Sequence, residues 1–348
     1  MRIVVTGATG NVGTSVVRAL AGDARVTEIV GIARRRPQLQ NPRTTWIQAD
    51  VASAPLEELF RGVDAVIHLA WLIQPSRDAA KLQAVNVVGT RRVFEAAAAS
   101  AGTLVYASSV GAYSPAPRDR IVDEGWPTGG TPTSFYARHK AAAESALDAI
   151  ESAHPALRVV RLRPALIFKR DAASGIRRLF AGPLLPSRLV HPRLLPVLPL
   201  PAGLRVQAVH TDDVAEAYRL AVTDERARGA YNVAADPVLD GATLGRALEA
   251  RPLPVPVAAV RAAAHVTWRL HLQPTPAGWL DMGMGVPLLD SGRIRRELGW
   301  EPRHTADEAL LELLAGMRES AGLPTPPLDP HAGGLLRWRE FATAVGAR

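Results

Sequence analysis

Residues 1–21 read MRIVVTGATGNVGTSVVRALA, and this stretch decides the fold. The β-branched run at 2–6 predicts a strand and the pattern at 11–21 predicts a helix, with glycines in the turn between them. A diphosphate needs close backbone approach and free N–H groups at a helix N-terminus, and such a turn supplies both. An ordinary glycine-rich turn is the alternative, but its place between a first strand and a first helix favours a dinucleotide site. The residues predicted to form this site are Gly7, Gly10, Asn11, Val12 and Gly13.

The first half of the chain alternates short β-branched runs with longer Ala-rich helical patterns. This alternation indicates βαβ units and a parallel sheet with helices on both faces. Right-handed crossovers then give an α/β fold, a Rossmann-type doubly wound sheet that binds ligands at the carboxyl ends of its strands. The predicted strands are 2–6, 28–32, 45–48, 65–69, 103–108 and 157–163, and the predicted helices between them are 11–21, 55–61, 78–100 and 134–153.

The pattern changes after Pro164, and residues 183–201 contain six prolines, too many for a helix or a central strand. We therefore predict an NAD(P)-binding Rossmann domain at 1–164 and a smaller, mostly α substrate-binding region at 165–319. Residues near 206–235 are expected to return to the Rossmann sheet. Helices are predicted at 211–223, 242–250, 256–271 and 305–319, and a tail at 320–348 carries Leu335, Leu336, Trp338 and Phe341 as candidates to dock.

Composition narrows the class of protein. The 348 residues are 47% apolar and 21% charged, which indicates a globular chain with a substantial core. The absence of cysteine excludes disulfides, thiolate-bound zinc and a cysteine nucleophile, and no metal site is predicted. The N-terminus lacks the apolar run of a signal peptide, and no stretch of about 18 apolar residues is free of charges and prolines. We expect a soluble, cytoplasmic protein without a membrane partner.

The net charge of +8 raises the question of a nucleic-acid partner. Lysine occurs only at positions 81, 140 and 169, whereas arginine is abundant and scattered along the chain. This pattern fits a compositional bias towards Arg and Ala better than an electrostatic design, so no nucleic-acid partner is predicted. Because lysine is scarce, a lysine at a chemically meaningful spacing is informative.

The end of the second predicted strand bears on the choice of cofactor. An NAD-binding protein usually places a carboxylate there to hold the ribose 2′-OH. This chain has Ala33 at that position, and Arg34 and Arg35 follow. Guanidinium groups bind a 2′-phosphate that a carboxylate would repel. A surface loop with frequent arginine is the alternative, but the pattern favours NADP over NAD.

Two further strand ends contribute to the predicted cofactor site. Asp50 and Val51 follow the third strand, where the Asp50 carboxylate can accept a hydrogen bond from the adenine amino group. Leu69 and Ala70 close the fourth strand, where small residues allow the backbone to approach the diphosphate.

Tyr136 and Lys140 stand at i and i+4 on one face of the helix predicted at 134–153. A carbonyl reductase needs a proton donor beside the hydride acceptor, and a phenol with a pKa of about 10 donates poorly unless it is tuned. A neighbouring ammonium lowers the pKa of the phenol by favouring the phenolate. A hydroxyl at the end of the fifth strand, from Ser108 or Ser109, can polarise the substrate carbonyl. A solvated Tyr–Lys pair and an ordinary strand-end serine are the alternatives.

Together these residues resemble the extended short-chain dehydrogenase/reductase family, which includes nucleotide-sugar epimerases, dehydratases and many ketone or aldehyde reductases. The resemblance extends to about residue 319. Its motifs are Thr6-Gly7-x-x-Gly10-x-x-Gly13, Asp50, His68-Leu69-Ala70, Asn86-Val87-Val88-Gly89-Thr90, Ser108-Ser109-x-x-x-Tyr113, Tyr136-x-x-x-Lys140, Arg163-Pro164, His210-x-Asp212-Asp213-Val214, Tyr231-Asn232-Val233 and Leu298-Gly299-Trp300-x-Pro302.

The resemblance implies a role for each matched residue. Ser109 would be the catalytic hydroxyl, Tyr136 the acid/base, and Lys140 its tuning partner and a ligand of the nicotinamide ribose. Asn86 looks like the family's structural asparagine. One stretch departs from the pattern, because Phe168-Lys169-Arg170 stands where the family often has a Gly-Pro turn. The resemblance also implies a homodimer formed by the two helices that correspond to 78–100 and 134–153.

Three functions remain open at this point. Val110-Gly111-Ala112 follow the fifth-strand hydroxyl, where dehydratases of the family place acidic residues, so dehydration is disfavoured. An NADP-dependent reductase or dehydrogenase is favoured, a nucleotide-sugar epimerase with tightly bound NAD is the alternative, and a non-catalytic cofactor-sensing protein comes third.

Signals about the small-molecule substrate conflict. Trp71, Leu72, Ile73, Trp126 and the Leu/Pro segment 183–201 suggest an apolar pocket. In contrast, residues 155–208 carry ten Arg and Lys and one acid, Asp171, which could bind a diphosphate. We favour an apolar carbonyl compound.

Overall fold

Each strand predicted in the first half of the chain forms in the computed structural model, which describes residues 1–74, 76–180 and 196–331. The described strands are β1 (Arg2–Thr6), β2 (Glu28–Ala33), β3 (Thr44–Gln48), β4 (Ala65–His68), β5 (Thr103–Ala107), β6 (Ile121–Val122), β7 (Arg158–Pro164), β8 (Leu166–Phe168), β9 (Val197–Pro201), β10 (Arg205–His210), β11 (Gly229–Val233), β12 (Ala235–Asp240), β13 (Arg251–Val255) and β14 (Leu288–Leu289). The described α-helices are α1 (Asn11–Ala21), α2 (Leu56–Leu59), α3 (Ala79–Gln83), α4 (Thr90–Ser100), α5 (Phe135–Ala153), α6 (Ala173–Phe180), α7 (Thr211–Thr223), α8 (Gly241–Ala247), α9 (Val257–Arg269), α10 (Gly278–Gly285), α11 (Gly292–Leu298) and α12 (Ala306–Glu319).

A seven-stranded sheet carries the fold, in the order β11-β7-β5-β4-β1-β2-β3. All neighbouring strands in it are parallel, and helices cover both faces, so the predicted Rossmann-type doubly wound fold is confirmed. The chain runs outwards from β1 to β3 and then returns to β4 on the other side of β1. A crevice therefore opens at the carboxyl ends of β1 and β4, where such sheets bind ligands.

Two apolar clusters hold the helices against the sheet. On one face Leu20 of α1 and Tyr218 of α7 lie in a fully buried cluster. On the other face Phe94 of α4 and Leu147 of α5 do the same. The α7 helix and β11, both within 206–235, belong to this sheet and its covering layer, whereas β10 pairs with β8 and β12 in a small sheet.

The helix predicted at 78–100 is interrupted. Residues 79–83 and 90–100 are α-helical, but 84–89 form a π-helical turn. Asn86 in this turn is fully buried and bonds twice to the backbone of Leu72, donating to its carbonyl and accepting from its N–H, each at 2.7 Å. The wider turn thus coincides with the side chain that holds the loop after β4, and π-turns of this kind occur frequently at functional sites.

The C-terminal region is helical, as predicted, and also contains strands that the sequence did not predict. In the described part of the chain these form the sheets β12-β10-β8 and β13-β9, and β14 pairs with β6 of the first half. The strands are short and several contain proline, so no period could be read from them. Of the Leu/Pro segment 183–201, residues 183–195 lie outside the described residues, as do Leu335, Leu336, Trp338 and Phe341. None of the described helices combines the length and apolar character needed to cross a bilayer.

Candidate active site

The glycine turn after β1 has no room for side chains. Gly7 has φ +70°, and a Cβ there would lie 2.6 Å from the backbone nitrogen of Ala70. A Cβ on Gly13 would lie 2.3 Å from the carbonyl oxygen of Gly7. The α1 helix begins at Asn11 with Gly10 as its N-cap, without a side-chain cap or an acidic residue in its first turn. The first N–H groups of this helix, including those of Asn11 and Val12, therefore remain available to an anion.

The end of β4 is locked beside this turn. His68 is buried, and its ring nitrogens lie 2.7 Å from the Thr6 hydroxyl and 3.0 Å from the Thr90 hydroxyl. Burial lowers the pKa of His68 to about 3, so the ring is neutral and acts as a hydrogen-bonding bridge. The N–H of Leu69 bonds to the Thr6 carbonyl at 3.1 Å, which sets the backbone of Leu69 and Ala70 against Gly7.

The residues predicted to hold the adenosine end lie on two adjacent strand ends. β2 ends at Ala33, followed by the exposed Arg34 and the half-buried Arg35. Burial, and to a lesser degree the charge of Arg34, lowers the pKa of Arg35. Asp50 accepts the backbone N–H of Ala52 at 2.9 Å, and Val51 beside it is buried.

Ser109, Tyr136 and Lys140 come together at the carboxyl end of β5. Ser109 follows this strand, while Tyr136 and Lys140 lie in the first turns of α5, which Ser134 caps. Burial raises the pKa of Tyr136, and a hydrogen bond with the Ser109 side chain opposes that rise. The sequence led us to expect that Lys140 would lower this pKa. In the structure the effect of burial on this pKa outweighs that of the Ser109 hydrogen bond. The pKa is therefore raised, and the phenol stays protonated.

Lys140 is buried beneath an aromatic ring. Its ammonium donates to the carbonyl of Ala107 at 2.5 Å and lies 3.6 Å from the ring centre of Trp71. Burial lowers the pKa of Lys140 to about 7, and the negative charge of Glu144 opposes this shift. A strongly shifted pKa in a crevice is typical of a functional group.

The structure separates the two serines that the sequence left as alternatives. Ser108 donates to Glu144 at 2.5 Å, and Glu144 is also paired with Arg163 at 2.8 Å. Ser108 therefore belongs to a buried ion-pair network behind the site. Ser109 faces Tyr136 and accepts the N–H of Gly111 at 3.0 Å.

The surroundings of Tyr136 are aromatic. The Trp71 ring lies 5.9 Å from it, and the Trp279 ring, which the sequence analysis missed, lies 4.9 Å from it. Phe180 at the end of α6 packs edge-on against Trp279 at 5.0 Å. Trp279 lies in the short, glycine-rich α10, far along the chain, so no local signal marked it. Trp126 packs elsewhere, against the cluster around Tyr113.

Arginines between 155 and 208 mostly hold the protein together. Arg158 donates to the carbonyls of Ala221, Val222 and Ala227, and Arg161 pairs with Glu144, Asp148 and Glu151. Arg178 donates to two carbonyls of the segment after α12. Internal contacts of this kind do not bind a substrate, and two further members, Arg188 and Arg193, lie outside the described residues.

One group of side chains has the ligand types of a metal site. Ligand atoms of His210, Asp213 and His304 fall within 4.8 Å of one another. However, Nδ1 of His210 accepts the N–H of Asp212 at 3.2 Å, so the ring proton lies on Nε2, which faces Glu312 at 2.8 Å. Asp213 accepts from both the backbone and the ring of His304. These hydrogen bonds engage both ring nitrogens of His210, the Asp213 carboxylate and Nδ1 of His304, and they tie His304 to the start of α7.

The Rossmann-type sheet, with Ser109, Tyr136 and Lys140 at the carboxyl end of β5, is the arrangement that the resemblance to the extended short-chain dehydrogenase/reductase family implied. A model of the family described as "NAD dependent epimerase/dehydratase family" matches residues 3–234. The match covers more than half of the chain, which therefore belongs to this family of enzymes.

Three relatives and two solved structures illustrate the range of similar proteins. The uncharacterized protein Rv2047c of Mycobacterium tuberculosis is 28% identical over 326 residues, which are 93% of this chain and 31% of that protein. The chain thus spans less than a third of the length of this relative. L-arabinose 1-dehydrogenase (NAD(P)(+)) of Haloferax volcanii is 45% identical over 111 residues, 31% of this chain and 41% of the relative. Ceramide reductase of Caulobacter vibrioides is 30% identical over 221 residues, 61% of this chain and 58% of the relative.

Among solved structures, a short-chain dehydrogenase/reductase superfamily protein from Agrobacterium tumefaciens with bound NAD superposes with a TM-score of 0.68 and 24% identity, over 92% of this chain and 98% of its own. UDP-glucose 4-epimerase from Thermus thermophilus in complex with NAD gives 0.67 and 22%, over 91% and 99%. At these identities the likeness shows a shared fold.

Proposed function

We propose that the protein is an NADP-dependent reductase or dehydrogenase that acts on an apolar carbonyl compound or the corresponding alcohol. The observation that carries this proposal is the meeting of Ser109, Tyr136 and Lys140 in one group at the carboxyl end of β5. A protein that merely senses a cofactor has no need of this group.

The residues divide the chemistry of carbonyl reduction among them. A bound nicotinamide would supply or accept the hydride. Tyr136, whose raised pKa keeps its phenol protonated, donates that proton to the carbonyl oxygen, and the Ser109 hydroxyl orients the same oxygen. Lys140 stabilises the phenolate that remains and would hold the nicotinamide ribose. Its pKa of about 7 lets the Lys140 side chain gain or lose a proton near neutral pH.

The cofactor assignment rests on the end of β2. The glycine turn, which a Cβ at Gly7 or Gly13 would fill, fits the diphosphate of either dinucleotide. The selection of NADP depends on Arg34 and Arg35, because no carboxylate stands at Ala33 to hold a free 2′-OH. The solved neighbours above contain NAD, whereas the Haloferax relative bears the name of an enzyme that uses both.

An apolar substrate is supported by the rings around Tyr136. Trp71 and Trp279 flank the phenol and leave an aromatic approach to it. Most of the described arginines of 155–208 are engaged in internal contacts, which removes the main argument for a substrate diphosphate. The ceramide reductase among the relatives is in keeping with a hydrophobic substrate.

A nucleotide-sugar epimerase with tightly bound NAD is the second candidate, favoured by the UDP-glucose 4-epimerase among the structural neighbours. The first experiment identifies any nucleotide that copurifies and then follows NADPH oxidation with long-chain ketones and aldehydes, with Tyr136→Phe as the control. Turnover of the apolar carbonyls supports the reductase. Retained NAD with interconversion of UDP-sugars, and no NADPH oxidation, would replace it by the epimerase.

We also propose a homodimer formed through residues 78–100, which comprise α3, the π-helical turn and α4, and through α5, the helix pair that the sequence resemblance implied. A groove of about 440 Å³ beside α5 is lined by Val87, Phe135 and Ala142 among others, and Val88 is half exposed. Light scattering at micromolar concentration tests this, and a monomer would contradict it.

A further inference from the structure

Lys169 occupies an unusual place immediately after β8. It is one of three lysines in the chain, and it stands where the sequence departs from the family pattern. Only 5% of it is exposed. Its ammonium donates to the carbonyl of Asn11 at 2.9 Å, to the hydroxyl of Thr14 at 2.7 Å and to that of Ser15 at 3.2 Å. All three ammonium protons are therefore used by the first turns of α1, the helix that follows the glycine turn.

No carboxylate forms a direct ion pair with this ammonium in the described part of the chain, although Asp212 hydrogen-bonds to Ser15, one of its acceptors. All three acceptors are neutral oxygens, and among the described residues no acidic group lies within 4 Å of the ammonium to form an ion pair. Asp212 and Asp171 attract it from farther away, and Arg18 repels it. Burial lowers the pKa of Lys169 to about 8. A buried ammonium without an ion-pair partner carries a desolvation cost that hydrogen bonds to neutral groups only partly offset.

The position along α1 adds a second unfavourable contribution. Helix N-termini carry a partial positive charge, so a nearby anion stabilises the helix and a nearby cation destabilises it. The first turn of α1 contains no acidic residue to neutralise it. The Lys169 ammonium and the partial positive charge of the helix N-terminus thus lie at the same end of α1. This arrangement is unfavourable for the local stability of the helix. Sequences keep such unfavourable arrangements mostly where function compensates for the loss.

We propose that Lys169 is an electrostatic part of the anion site at the start of α1, where its charge and the helix N-terminus together attract the diphosphate of the dinucleotide. Lys169 contacts α1, so it is a positioning residue. Further bonds fix the same turn, since Asn11 donates to the carbonyl of Ile167 at 3.2 Å and Thr211 donates to Asn11 at 3.2 Å. This inference rests on dinucleotide binding, but not on the choice between reductase and epimerase.

The test compares Lys169→Met with the wild-type protein by calorimetric titration of NAD and NADP. Because both dinucleotides contain the diphosphate, loss of a unit charge near it should lower the affinity for each by about ten-fold. The unfolding temperature of the ligand-free variant should equal or exceed that of the wild type, since a costly buried charge is removed. Lys81→Met, which removes the same charge from α3, should change neither. Lys169→Gln serves as a second variant should the thioether pack poorly.

A pH series adds a readout that a structural role would not change. Wild-type affinity should weaken between pH 7 and pH 9.5 as Lys169 loses its proton, and the slope should be smaller in Lys169→Met. The other charged groups that face Lys169 are Asp212, Asp171 and Arg18. Lys140 titrates too, but it is present in both proteins.

Three results would overturn the inference. Unchanged affinity for both dinucleotides, with a lower unfolding temperature, would reduce Lys169 to a structural residue. A loss confined to NADP would place its effect at the 2′-phosphate, and an equal loss in Lys81→Met would show a general effect of net charge. If the wild-type protein bound neither dinucleotide, this inference and the proposed function would fail together.

Discussion

The buried ammonium of Lys140 should make the stability of the ligand-free protein rise with pH. Its pKa is about 7 in the folded protein and 10.5 in its ordinary state. Between these values the unfolded chain keeps a proton that the folded protein has released, so the free energy of unfolding increases with pH. Integrating this difference from pH 7 to pH 9 gives about 2 kcal/mol for Lys140. Acidic residues with lowered pKa values contribute only well below this window.

Lys140→Met isolates this contribution. The variant should gain stability at pH 7, because no charge has to be buried, and should show a shallower rise towards pH 9. Lys169, with a pKa of about 8, titrates in the same direction and leaves a residual slope in both proteins. The assay is urea unfolding followed by tryptophan fluorescence at several pH values between 6 and 9. A wild-type stability that stays flat or falls over this range, or an unchanged slope in the variant, would refute the reasoning.

Tyr136→Phe should lower turnover by at least about 100-fold and leave NADP affinity within about two-fold, as measured by steady-state kinetics and calorimetry; near-normal activity would remove the tyrosine from the mechanism. Replacing Arg34 and Arg35 together with Ala should weaken NADP about ten-fold or more and NAD little, and equal losses in the same titration would contradict the NADP assignment. Trp279→Ala should raise KM for a long-chain ketone about ten-fold more than KM for a small aldehyde, because it removes apolar contact area. A uniform change for both substrates would mean that the ring does not line the substrate path.

The parts of the site that could be predicted from the sequence are those whose residues lie a few positions apart along the chain. Gly7 begins the short loop that joins β1 to α1, and Gly13 lies in the first turn of α1. Tyr136 and Lys140 lie one helical turn apart in α5. In both pairs, residues that are close in sequence are also close in space. The central sheet was predictable for the same reason, since each strand and helix has its own period.

The remaining features depend on contacts between distant segments. Trp279 reaches Tyr136 from α10, more than a hundred residues along the chain, and the sequence around it has no amphipathic period. In the sequence, Lys169 stood out only as a departure from the family motif. Its hydrogen-bond partners lie in α1, more than 150 residues earlier, so only the structure shows them. The direction of the Tyr136 pKa shift also needed the structure, since burial is a property of the assembled crevice.

The two ends of this crevice offer different chemistry, and that difference bears on the choice between the two proposed functions. At the cofactor end, the N-terminus of α1, Lys169 and the arginines after β2 all favour negative charge. At the substrate end, the groups that flank Tyr136 are the rings of Trp71 and Trp279, and Trp71 covers the ammonium of Lys140. A nucleotide sugar carries a second diphosphate, which would need a second cationic surface. Most of the described arginines between 155 and 208 are engaged within the protein, which supports the proposal of an apolar substrate over that of a nucleotide sugar.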